Sequence, residues 1–166
     1  MGPRLIASLI LAAFVLASAP AWAQAKAKGK NQARGCFTKP EHAAEQQVRQ
    51  GIRLREYGWR CEETPYSAKT LELWTGIDKK FGKDFAKVTE TREKAFQREF
   101  PESWKTDLEV WNGRIVLHYR HLYLSKRACV EAKNQLEQID KKGFKTFQAI
   151  AAKAKPDVIM DYKICP

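Results

Sequence analysis

LELWTGIDKKFGKDFAKVTETREKAFQREF, residues 71–100, decides the fold class. Leu71, Trp74, Ile77, Phe81, Phe85, Val88, Ala95, Phe96 and Phe100 follow one another mostly at steps of three or four, with Arg92 as the main interruption. That is the period of one helix face, and a stripe this long stays stable in water only if other helices cover it. Gly76 and Gly82 lie inside the stripe and could bend the helix, each weakening it by ~1 kcal/mol relative to alanine. Pro101 ends it.

The preceding segment supplies a first partner. In TKPEHAAEQQVRQGIRLREYGWRC, residues 38–61, Thr38 is a candidate N-cap, Pro40 falls in the first turn and Glu41 completes a capping box. The predicted helix runs from about Lys39 to Tyr57 or further, since Gly58 could end it but nothing forces it to. Its apolar face comprises Ala44, Val48, Gly51, Ile52, Gly58 and Trp59, with Leu54 and Cys61 at the edge and Arg55 pointing into it. A third helix is predicted from Ser125 as N-cap to about Lys153, with Cys129, Ala132, Leu136, Ile139, Gly143, Phe147, Ile150 and Ala154 along its seam, where Gly143 either allows close approach of a neighbour or marks a break. Between Pro101 and Leu124, Asn112-Gly113 separates two apolar runs. The pair tolerates the positive φ angles of a tight turn, so a β-hairpin is expected there. The predicted architecture is mainly all-α: a three-helix bundle with a small β-hairpin insertion and disulfide staples.

Residues 1–23 are read as an export signal. Arg4 provides the positive start, Leu5 to Ala17 is the apolar run, and Ala21-Trp22-Ala23 is an A-x-A cleavage site. The run is shorter than the ~20 apolar residues needed to cross a bilayer. Cleavage after Ala23 would release a 143-residue chain into a bacterial periplasm or the medium. Residues 24–35 then form a basic tail without periodicity, and residues 36–166 a single helical domain. The whole sequence carries 30 basic and 19 acidic residues, a net charge of +11. Such a balance favours an anionic lipid or glycolipid surface, or an envelope protein, as partner. Nucleic acid is not favoured, because no RNA-binding signature accompanies the charge.

In an oxidising compartment the four cysteines predict two disulfides, and none of their spacings fits zinc, haem or thiol redox chemistry. A straight helix from Lys39 to Tyr57 spans about 28 Å, whereas the flanks joining it to Cys36 and Cys61 reach about 23 Å together. Cys36–Cys61 therefore closes only with strain. Cys129 lies in the seam of the third helix, and a first helix antiparallel to it would bring Cys61 to its start, so the favoured pairs are Cys61–Cys129 and Cys36–Cys165, which would staple the chain ends together.

Catalytic signatures are absent: the sequence holds no H-E-x-x-H, G-x-S-x-G, Walker A loop or G-x-G-x-x-G. No metal and no cofactor are expected. His118 and His121 could serve a ribonuclease-like hydrolase, but a metal there would need a third ligand that the spacing does not supply. The candidate site is instead an anion-binding row of Arg49, Arg53 and Arg60 on the first helix, with His42 beside it and Glu45 and Glu56 at one edge. Trp59, Trp74, Trp104, Trp111 and Tyr119 are read mainly as core. The function expected is that of an exported, non-enzymatic binding or accessory module. A structural subunit is the further alternative, to be recognised by an apolar strip left exposed on the second helix.

Overall fold

The computed structural model describes residues 34–155 and 163–166; the segment read as an export signal and most of the stretch read as a basic tail lie outside them. Among the described residues there are five α-helices and no strand. They are α1 (Lys39–Cys61), α2 (Thr70–Glu99), α3 (Trp104–His121), α4 (Lys126–Lys142) and α5 (Phe144–Lys153). The bundle is thus all-α as expected, but with five helices where three were predicted.

Helix α1 starts where the sequence indicated. The Thr38 backbone N–H donates to Glu41 Oε2 at 2.8 Å, and Pro40 sits in the first turn. The helix does not stop at Tyr57. Gly58 continues it to Cys61, and a Cβ there would lie 3.3 Å from the Thr70 carbonyl oxygen and 3.4 Å from Trp74 Cβ. The glycine serves close approach of α2, so its absent side chain works in packing rather than in termination. The core side of α1 is Ala44, Leu54, Tyr57 and Cys61, while Trp59 and Arg55 point outward. Of the expected face, Ala44, Gly51, Leu54, Gly58 and Cys61 are buried and Ile52 packs against the core, but the buried surface is broader and also takes in Glu45, Arg49, Gln50 and Glu56, which a hydrophobicity pattern assigns to solvent.

Lys69, at φ 70°, turns the chain into α2 from a left-handed conformation, so the usual side-chain cap is missing. Glu62 replaces it by accepting from the Leu71 backbone N–H at 2.6 Å. Thr70 donates its hydroxyl to the Gly58 carbonyl at 2.8 Å and locks α2 onto α1. Helix α2 is kinked at Phe81 (φ −112°, ψ 17°), next to Gly82. Around the kink, Phe81, Phe85, Phe144 and Phe147 join Trp74 in one aromatic cluster that covers the stripe.

The predicted hairpin is overturned. Asn112-Gly113 lies within α3, whose Leu108, Trp111, Ile115 and Tyr119 are all buried at steps of three or four. Burying such side chains contributes about 1.5–3 kcal/mol each. Glycine in a helix costs ~1 kcal/mol, so the packing outweighs the local turn preference. The predicted third helix is divided. Gly143, at φ 91°, ends α4 and starts α5, donating its N–H to the Ile139 carbonyl at 2.8 Å.

Two disulfides close the bundle, and they are the pairs favoured from the sequence. Cys61–Cys129 joins the last residue of α1 to the first turn of α4, and Cys36–Cys165 joins the chain ends. Beside the second, Phe37 and Ile164 pair in a parallel bridge, with Phe37 N–H donating to Lys163 O and Cys165 N–H to Phe37 O, both at 2.8 Å. Arg34 and Gly35 donate their backbone N–H groups to the Glu99 carboxylate and tie the entry of the chain to the end of α2. No helix among the described residues is long and apolar enough to cross a membrane.

Candidate functional site

The arginine row of α1 does not face solvent as a unit. Arg49 is buried, 5% exposed, with its guanidinium 3.3 Å from Glu45 Oε1 and over the Trp111 ring at 5.6 Å. Arg60 donates to the Tyr119 carbonyl at 2.6 Å and so fastens the last turn of α1 to α3. Arg53 is the one left at a cavity wall with partial exposure. It lies over the Tyr57 ring, donates to Gln50 at 3.5 Å and stands 3.7 Å from Glu131 of α4.

That cavity, about 600 Å³, lies between α1, α4, α5 and the returning C-terminal residues. Its walls include His42, Glu45, Arg49, Gln50 and Arg53 from α1, and Glu131 and Gln135 from α4. Lys153, Lys155 and Ile164 complete it. Gln50 bridges the first two walls by donating to Gln135 Oε1 at 3.0 Å, and Gln135 in turn donates to Glu131 at the same distance. Four permanent cations therefore meet two carboxylates, with the exposed Lys153 and Lys155 at the rim. Burial holds the His42 imidazole below its ordinary pKa, Glu45 pulling it up and nearby Arg49 pushing it down.

The floor of this site was not legible as such. Glu45, only 1% exposed, accepts from the Trp111 indole N–H at 2.8 Å and pairs with Arg92 Nε at 2.6 Å, besides its contact to Arg49. One buried carboxylate thus gathers α1, α2 and α3. Arg92, which interrupted the apolar stripe of α2, also reaches Asn112 and lies over Phe96. The signal in the sequence was that interruption: a lone arginine in a long apolar stripe needs an acidic partner inside. Glu56 is a second buried carboxylate, paired with Arg55 at 2.8 Å and Arg120 at 3.2 Å.

The other sequence candidates fall elsewhere. His118 is half-buried with its ring edge-on to Tyr119, and His121 is exposed at the end of α3. Among the described residues no group of three histidines, cysteines or acids could hold a metal ion. Trp74, Trp111 and Tyr119 belong to the core, whereas Trp59 is 70% exposed. No large apolar side chain of α2 is among the exposed ones, so the strip that would mark a structural subunit is not on that helix.

Comparison with known proteins finds no matching family model, no matching curated protein and no matching solved structure.

Proposed function

We propose that this chain is an exported binding module of the bacterial envelope, taking a small anionic ligand in the cleft between α1, α4 and α5. The observation that carries the reading is the convergence of Arg53, Lys153 and Lys155 on a cavity of about 600 Å³. That size is in the usual range for small-molecule sites, and guanidinium and ammonium groups suit phosphate or carboxylate oxygens. Gln50 and Gln135 add amide groups able to orient such a ligand.

The compartment is part of the proposal. Two disulfides suit an oxidising environment, and the leader read over residues 1–23 would deliver the chain there. The mature N-terminus is then Gln24, which N-terminal sequencing of the exported protein checks directly.

The test of the site is calorimetric titration with pyrophosphate and with citrate at low and high salt. Binding should weaken as salt rises and drop at least about tenfold in Arg53→Gln combined with Lys153→Gln. Binding that survives the double substitution removes the cleft from consideration.

A further inference from the structure

Among the described residues six large apolar side chains are exposed, and all but Ile164, which pairs with Phe37 at the start of α1, lie on α3, directly after it or near the end of α1. Val110 and Leu117 are 54% and 53% exposed on the outer face of α3, seven residues apart and opposite buried Trp111, Ile115 and Tyr119. Leu122 and Tyr123 follow directly, Tyr123 at 87% exposed. Trp59 lies at the same end of the bundle. Its neighbours on α1 reach α3 there, Arg60 at the Tyr119 carbonyl and Glu56 at Arg120. The Cys61–Cys129 bond holds this end of α1 to the start of α4.

Charge divides in the same region. From Val110 to Val130 the chain has no acidic residue, yet it holds Arg114, Arg120, Lys126 and Arg127. Arg120, Lys126 and Arg127 are exposed around Leu122 and Tyr123. Glu56 is buried beneath Arg55 and Arg120, which leaves Glu63 as the exposed acid of the adjoining turn.

Tryptophan and tyrosine beside leucines, ringed by cations, match the boundary between headgroups and acyl chains of an anionic bilayer. The rings enter the interface while the cations meet lipid phosphates. We infer that this end of the bundle, centred on Trp59, Leu122 and Tyr123, docks on an anionic phospholipid surface. The face is separate from the cleft and does not depend on it. Docking there holds the protein at the surface with no spanning helix among the described residues.

Sedimentation of the disulfide-bonded chain with vesicles of phosphatidylcholine, alone or mixed with phosphatidylglycerol, tests this. The mixed vesicles should bind it, and Trp59→Ala with Tyr123→Ala should lower the partition at least about tenfold. Both side chains are largely exposed, so the variant keeps its fold, which its melting transition reports. Emission should shift to the blue on binding and lose that shift in Trp59→Phe, since Trp74 and Trp111 are already buried and the half-buried Trp104 starts α3, at the end away from Leu122. Arg53→Gln should leave vesicle binding unchanged, which separates this face from the cleft. Three results overturn the inference: undiminished binding by the Trp59/Tyr123 variant, binding lost only when Lys26, Lys28 and Lys30 become glutamine, or self-association in solution that these two substitutions abolish. The last would give the face to a second copy of the chain.

Discussion

Glu45 of α1 and Arg92 of α2 form an ion pair at 2.6 Å with side chains 1% and 3% exposed. The pair sits at the meeting of three helices and shares its carboxylate with Arg49 and Trp111. Removing one member of such a pair leaves the other charged and desolvated. Glu45→Ala should therefore cost about 3–5 kcal/mol in urea unfolding, with two guanidinium groups left in the core. Replacing Glu45 and Arg92 together by leucine and methionine should cost less than the sum of the single changes. Additive losses would mean that the two side chains act independently.

Gly113 distinguishes the helix from the hairpin. A Cβ there meets nothing within 4 Å, and the backbone has no positive φ. Gly113→Ala should stabilise the protein by about 0.5–1 kcal/mol, whereas a tight hairpin turn at this position would be disrupted by it. Gly58→Ala should act in the opposite direction, because its Cβ would press on the backbone of Thr70. Thermal unfolding of both variants gives the two signs.

The Glu41–Arg98 pair should make stability acid-sensitive. Burial pushes the Glu41 carboxyl up, but the hydrogen bonds from Arg98 and the Thr38 backbone win and hold it at about 2. Glu99 is shifted in the same direction: burial raises it, and the N–H groups of Arg34 and Gly35 with the Arg98 guanidinium lower it. A carboxyl lowered by folding contributes fully above its unfolded pKa, and the contribution drains away as pH falls from 4.5 towards 2. Stability measured across that window should decline, and Glu41→Gln should flatten the decline. An unchanged slope in the variant would assign the acid sensitivity to other groups.

The two disulfides should differ in what they protect. Cys36–Cys165 spans a sequence separation of 129 residues and Cys61–Cys129 one of 68. Loss of either should cost about 2–5 kcal/mol. Cys36→Ser with Cys165→Ser should chiefly release the Phe37–Ile164 bridge, seen as faster amide exchange at Phe37 and Cys165. Cys61→Ser with Cys129→Ser should loosen the packing of α1 on α4 near Tyr57 and Tyr119. An exchange pattern identical in both variants would contradict this division.

The sequence alone determined that the chain is helical, because the spacing in residues 71–100 admits one period only. It also determined where α1 and α4 begin, since Thr38, Glu41 and Ser125 act through bonds to backbone groups within a turn. For the disulfides, the length of one helix only disfavoured Cys36–Cys61; the choice of Cys61–Cys129 with Cys36–Cys165 also needed an assumed packing of the first helix on the third, and those pairs are the ones formed. What tertiary structure decided was every choice between local and distant interactions. Asn112-Gly113 turns well in isolation, and only the burial of Trp111, Ile115 and Tyr119 against other helices keeps it helical. Gly58 and Gly143 are the same residue type, yet one continues a helix where α2 approaches and the other breaks one at positive φ. Arg49, Arg53 and Arg60 share an arc of α1, but contacts from α3 and α4 give them three different partners. Those partners stand far away in sequence, and the charge of an arginine does not reveal whether its carboxylate or carbonyl waits inside the protein.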